Sequence, residues 1–278
     1  MNYSPFKDLN FSRHIRFILF LVIAYSNLTF ADLEPTPDIH FTEWKPDLAF
    51  GAAARSMPFG ASIGGELGLN RLVWGDPKST DKLYGFVRPY VKGSTSAVVN
   101  RATIGFDLFP VSFVGLSWGG SASARFTTNY ATLNCLGLQC DGSLKSIFVS
   151  PKIIVGYHGF FAGSIVRFDW ISASQTILPF AEETQTLVGS SGSDILKDIL
   201  FLAGYETGNA TYGVLIENAS MLQSGNNNLL LSTFTKFRLN TNWALSGGAG
   251  QYQSSTQGPS FTGFLKLEWS NLNTLSLF

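Results

Sequence analysis

Apolar and polar residues alternate with period two along most of the chain beyond residue 46. In 101–109, Ala102, Ile104, Phe106 and Leu108 share one face, and Arg101, Thr103, Gly105 and Asp107 share the other. In 113–119, Val114, Leu116 and Trp118 oppose Phe113, Gly115, Ser117 and Gly119. In 147–157, Ile147, Val149, Ile153, Val155 and Tyr157 oppose Ser150, Lys152 and Gly156. The same alternation recurs in 165–170, 211–217 and 264–269. Side chains of a strand point to opposite faces in turn, so this pattern predicts strands with one apolar and one mixed face. Twelve are predicted: 47–56, 60–74, 82–93, 98–109, 112–128, 145–157, 160–172, 198–207, 210–220, 228–239, 242–254 and 260–270. The weakest is 198–207, because SGSDILKDILFLAG (191–204) also suits a short helix capped by Ser193 or Asp194. Ten and fourteen strands are the alternatives.

A soluble sandwich and a membrane barrel share this alternation. Connection lengths favour the barrel. Short turns at 109–112, 158–160, 207–210 and 239–242 alternate with longer links at 129–144, 173–197, 221–227 and 255–259. Transmembrane barrels have short turns on one rim and longer loops on the other. Phe109, Phe113, Tyr157, Phe160, Trp243 and Trp269 fall near the short turns, where an interfacial aromatic girdle is expected. An even strand number puts both termini at the same rim.

The N-terminus carries a different pattern. Lys7, Arg13 and Arg16 precede an apolar run from Phe17 to Tyr25, and Thr29 and Ala31 provide small residues before a cleavage point ahead of Asp32. The run is too short to cross a bilayer core of roughly 30 Å, and its order is that of a secretory signal peptide. The expected organisation is a signal peptide at 1–31, an N-terminal periplasmic or lumen-plugging segment at 32–46, and the barrel at 47–278.

Composition sharpens the picture. The chain holds 19 basic and 19 acidic residues; removing three basic and one acidic with 1–31 leaves 16 and 18. Such a balance gives no footprint for nucleic acid. Charged residues make up 14%, well below the usual ~25%, and 28 Gly and 24 Phe are high. No apolar stretch after Ala31 is long enough for a membrane helix. Only helices and closed barrels satisfy the backbone in lipid, so a mature membrane protein here must be a barrel.

With the export signal, the alternation, the uneven links and the terminal Phe278, the chain resembles bacterial outer-membrane β-barrel proteins of the porin-like kind. The resemblance implies outer-membrane lipid around the barrel, a homo-oligomer (trimer or larger ring) and a C-terminal aromatic read during assembly. Thr274 and Ser276 depart from the usual apolar phase before that aromatic.

The chemistry is sparse. Cys135 and Cys140, in NCLGLQCDG, read as a disulfide across a loop tip, against two free thiols or a metal site. A metal site needs about four suitable ligands, and beyond residue 31 only His40 and His158 remain. Neither histidine stands beside a nucleophile and an orienting group, so no enzyme, catalytic residue, metal or cofactor is expected. SIGGELGLN (62–70) continues as a strand and is no phosphate loop.

The mixed faces then hold the candidate functional residues. Arg88, Lys92, Arg101, Asp107, Lys152, Arg167, Asp169, Glu217, Lys236, Arg238, Lys266 and Glu268 are expected to line the lumen. Eight are basic and four acidic, so an open lumen would prefer anions mildly. The expectation is an all-β antiparallel barrel acting as a channel for passive diffusion of small hydrophilic solutes. The alternative is a plugged barrel acting through oligomerisation or its outer loops.

Overall fold

The computed structural model describes residues 43–75, 83–96, 98–126, 135–255 and 258–271. The segments 1–31 and 32–42 and the terminal Phe278 therefore lie outside the described residues. So does 127–134, which includes the first part of the link at 129–144.

The alternating segments form strands. They are β1 (Lys45–Ser56), β2 (Phe59–Gly75), β3 (Tyr84–Thr95), β4 (Val99–Val111), β5 (Val114–Arg125), β6 (Gly142–Tyr157), β7 (Phe160–Ala173), β8 (Pro179–Glu182), β9 (Leu187–Ser191), β10 (Ser193–Thr207), β11 (Ala210–Met221), β12 (Asn227–Arg238), β13 (Trp243–Ser254) and β14 (Ser260–Ser270). All except β8 and β9 join in one closed antiparallel barrel of twelve strands, each beside its neighbour in the chain, and β1 pairs with β14 to close it. Neither ten nor fourteen strands is correct. The segment 193–207 is strand throughout, not a helix: its alternation of Asp194, Leu196 and Asp198 against Ile195, Lys197 and Ile199 fits a two-faced wall.

Partners across an antiparallel ladder share a face, so the register assigns every side chain to the inside or the outside. The outside carries Phe50, Ile63, Leu67, Val91, Ile104, Trp118, Ile147, Trp170, Leu231, Phe261 and Leu265, all well exposed. The acidic residues of the barrel strands, Asp47, Glu66, Asp107, Asp169, Asp194, Asp198, Glu206, Glu217 and Glu268, all face inward. The charged residues facing outward from the described strands are Arg71, Lys145 and Lys197, all basic.

The inside of a twelve-strand wall is narrow, and bulky inward residues would fill it. Here six inward aromatic rings lie back against glycines on the next strand. Tyr90 covers Gly105, Phe109 covers Gly115, Phe148 covers Gly119, Phe161 covers Gly204, Phe234 covers Gly213 and Phe264 covers Gly248. The register places five of these pairs directly opposite one another; the Phe109 pair sits just beyond Leu108↔Leu116. A Cβ on Gly213 would stand 2.6 Å from the Phe234 ring, so only glycine accommodates it.

The two rims differ, though not as simply as the sequence suggests. The tight turns after β4, β6 and β10 and the short link after β12 stand at one rim. The β6–β7 turn is a two-residue reversal in which His158 and Gly159 both have positive φ, at 47° and 81°, the primed geometry that suits a twisted hairpin. The other rim, here called the mouth, holds the links after β5, β7, β11 and β13 together with the tight connections after β1 and β3, while the eight-residue link after β2 falls at the short-turn rim. Tyr157, Phe160, Trp243 and Trp269 lie on the outer face near the short-turn rim, and Phe113 sits in the β4–β5 turn itself. Phe109 is a correction: it points inward, is 3% exposed and stacks on Phe86 with centroids 4.4 Å apart. The strand pairing shifts at the end of β4, beyond Leu108, and Phe109 there joins an inner cluster of Leu72, Tyr84 and Phe86.

Candidate functional site

The link between β7 and β10 is not a simple loop. Residues 179–191 form the β8–β9 hairpin, which folds back through the mouth into the lumen. Phe180, Ala181 and Leu187 of the hairpin are all buried; Phe180 and Leu187 pack with Leu144, Ile171, Leu196, Ala219 and Met221. Its polar turn crosses to the far wall. Arg55 on β1 donates to the Thr184 carbonyl at 3.2 Å. Arg101 on β4 pairs with Glu182 at 3.3 Å and Glu183 at 2.8 Å. The Gln185 amide donates to Glu217 on β11 at 2.6 Å, and Asn228 on β12 donates to the Gln185 carbonyl at 2.6 Å. The hydroxyls of Thr186 and Tyr252 on β13 stand 2.8 Å apart. A hairpin rooted between β7 and β10 thus touches both sides of the barrel. Burial, reinforced by the neighbouring Glu183, pushes the Glu182 carboxyl above the usual carboxylate range, although Arg101 opposes this.

The twelve candidate residues of the sequence all project into the lumen, and burial divides them. One group belongs to the wall itself. Arg88, its side chain only 8% exposed, holds Asp47 at 2.8 Å, Glu66 at 2.5 Å and Asp107 at 3.4 Å. Lys152 pairs with the same Asp107 at 3.3 Å, and Ser117 donates to it as well. Arg167 pairs with Asp169 at 2.6 Å and lies 3.9 Å over the Phe148 ring. These charges stitch β1 to β7, and desolvated ion networks of this kind are structural elements first. Arg101 and Glu217 are occupied by the hairpin.

The second group reaches water. Lys92, Lys236 and Lys266 have side chains 55%, 43% and 47% exposed although they point inward. Arg238 pairs with Glu206 at 2.8 Å near the short-turn rim, and Glu268 stands between Lys236 and Lys266 at 3.3 and 2.5 Å. On β1, β2 and β13 much of the inner wall is made of small residues: Ala49, Gly51 and Ala53 on β1, Gly64 on β2, Ser246 and Gly250 on β13. The lumen is therefore lopsided. Four of the six rings and most of the buried ion pairs lie on β3–β7, while β1, β2 and β13 present a lane of small residues bordered by lysines and by the Phe264 ring.

Sequence reasoning missed three things here. The hairpin lies within PFAEETQTLVGS, where two very short alternating runs flank a polar ETQT; runs this short give little periodicity. Arg125 ends β5, and its guanidinium, in a residue 2% exposed, donates to the carbonyls of Gln139, Ala181 and Asp141 at 3.3, 2.6 and 2.9 Å. The ring-on-glycine pairs require the register. Cys135 and Cys140 are joined in a disulfide. Among the described residues no cluster of His, Cys, Asp and Glu is arranged to hold a metal ion.

The fold and this site define a class: a closed antiparallel barrel of twelve strands with an apolar outside, a charged inside and a hairpin drawn into one mouth. No protein-family model matches the chain, and no curated relative matches it. Among solved structures it is similar to an outer-membrane channel from Pseudomonas putida F1, with 9% identity over 86% of this chain and 100% of that one and a TM-score of 0.46. It is also similar to the NanC porin, with 8% identity over 80% and 98% and a TM-score of 0.44. The β domain of the Bordetella autotransporter BrkA has 10% identity over 82% and 99% and a TM-score of 0.46.

Proposed function

We propose that this chain is an outer-membrane barrel that passes small hydrophilic solutes through a lumen narrowed by the β8–β9 hairpin. The observation that carries this reading is the inside-out polarity of the wall. Acidic residues point in, large apolar residues point out, and inward lysines are still reached by water. A soluble barrel would place those faces the other way, because exposed apolar surface on this scale is unfavourable in water. A closed barrel in lipid needs this arrangement.

Solutes would run along the small-residue lane, past Lys92, Lys266 and Lys236. These lysines are the reason to expect a mild preference for anions. The test is planar-bilayer recording of the purified protein with a salt gradient. Discrete current steps with a reversal potential on the anion-selective side are the expected result. A protein that inserts, migrates as a heat-modifiable barrel and never gives steps would support the second reading. In that reading the hairpin closes the mouth, an idea favoured by its anchoring to β1, β4, β11, β12 and β13. Assembly as a homo-oligomer belongs to the same proposal, and cross-linking in native membranes would examine it.

A further inference from the structure

The disulfide-closed loop does more than cap an exposed tip. Its backbone runs beside β8. The Gln139 N–H donates to the Pro179 carbonyl at 2.7 Å, and the Ala181 N–H donates to the Gln139 carbonyl at 3.0 Å, which makes a parallel bridge from loop to hairpin. Cys140, 2% exposed, packs on Ala181, 0% exposed, with Cys135, Leu138 and Val188 around them. Arg125 binds both partners at once, through the carbonyls of Gln139, Asp141 and Ala181. The Gln139 side chain donates to Ser174, at the root of the hairpin, at 3.0 Å.

We propose that the disulfide loop 135–141 is the strut that positions the β8–β9 hairpin across the lumen, with Arg125 as the positioning residue that joins the two. The inference rests on the channel reading for its consequence, but not for its geometry. The hairpin is only two short strands, and a pair of that size is marginal alone in water. It needs a third partner. The loop supplies a short edge with one donor and one acceptor in register. The disulfide restricts the conformations open to the four residues between the cysteines, so the edge is presented ready-made. Arg125 suits the junction because a guanidinium carries donors on two terminal nitrogens held in a fixed planar fork, and here Nη1 and Nη2 reach three separate carbonyls, whereas the three donors of a lysine radiate from one atom.

The test compares the native protein with Cys135→Ser/Cys140→Ser, Arg125→Gln and Arg125→Lys, each as the full chain refolded in detergent. The first readout is hydrogen exchange of the 179–191 segment. The expected result is an exchange rate raised tenfold or more in the double cysteine variant and in both Arg125 variants, with the β10 and β11 amides beyond the mouth unchanged. If the double variant fails to refold, the native protein is reduced after folding with a water-soluble phosphine, and the same segment is followed. The second readout is single-channel current, which is expected to become noisier and to vary in amplitude once the strut is cut. Hairpin protection that stays at the native level without the disulfide and without Arg125 would overturn the proposal. A protein that never conducts would sink the channel reading, and the exchange measurement would still decide the strut.

Discussion

The ring of Phe234 lies over Gly213, its direct partner across the β11–β12 ladder, and occupies the space where a Cβ would stand. The ring is thereby held against the wall rather than across the bore. Gly213→Val is expected to push the ring into the lumen, lowering conductance and costing about 1–3 kcal/mol from overpacking. Phe234→Ala should raise conductance instead. Single-channel recording with denaturant unfolding in detergent checks both.

Arg88 joins three carboxylates from β1, β2 and β4. Arg88→Met leaves Asp47, Glu66 and Asp107 facing one another, with Lys152 against Asp107 and the more exposed Lys92 at 4.0 Å from Glu66 as the remaining cations. Removing one partner of a buried ion pair costs about 3–5 kcal/mol, so this variant should unfold at clearly lower denaturant. Ion selectivity should change little in any folded fraction, because Arg88 is 8% exposed.

Selectivity should instead follow the lysines that water reaches. Lys92→Glu, Lys236→Glu and Lys266→Glu together are expected to turn an anion preference into a cation preference. The check is the sign of the reversal potential in a salt gradient. An unchanged sign would remove these residues from the path.

Glu182 gives the hairpin a pH dependence. Its carboxyl is raised in the docked hairpin by burial and by Glu183, so the docked state takes up a proton more readily than the free one. A raised carboxylate adds stability below its ordinary range and loses it as pH rises through the docked value. Exchange protection of 179–191 should therefore grow as pH falls into the carboxylate range, after correction for intrinsic exchange. Glu182→Gln should flatten that dependence.

Ile104 stands on the outer face in the middle of β4 and is 66% exposed. A charge at the middle of a lipid-facing strand costs about 2–4 kcal/mol, so Ile104→Arg should lower stability in bilayers by that order. The same change in a soluble barrel would be nearly neutral. Unfolding titrations in vesicles measure the difference.

Much of the barrel was legible because each strand carries its own two-faced pattern. Ala102, Ile104 and Phe106 against Arg101, Thr103 and Asp107 declare a wall without any neighbour's help. The division of the inner charges was not legible. Arg88 and Lys92 have the same parity and different roles, because only the register brings Asp47, Glu66 and Asp107 to a buried Arg88 and leaves Lys92 opposite Glu66 alone, at 4.0 Å, with its side chain 55% exposed. The hairpin was hidden for a related reason. Its stability lies in Arg101, Arg125, Asn228 and Tyr252, all distant in sequence, and its own strands are too short to advertise themselves. Phe109 misled because nearness to a turn is not the same as facing outward.

The rings on glycines also bear on how the wall finds its alignment. Slipping one strand by two residues leaves each of its side chains on the face it already occupies, so polarity cannot forbid the slip. A Gly-rich run such as Leu245–Gly250 is especially open to it. Sliding β14 by two would set the Phe264 ring on Ser246 or Gly250 in place of Gly248, and the Gly250 backbone is already crowded by Leu231 and Ser232. Along a ladder of otherwise interchangeable rungs, each aromatic marks the one rung at which its neighbour may stop. Six of the twelve joints carry such an inward mark; the β1–β14 joint that closes the barrel is among those that do not, and its alignment follows from the marked joints elsewhere in the ring.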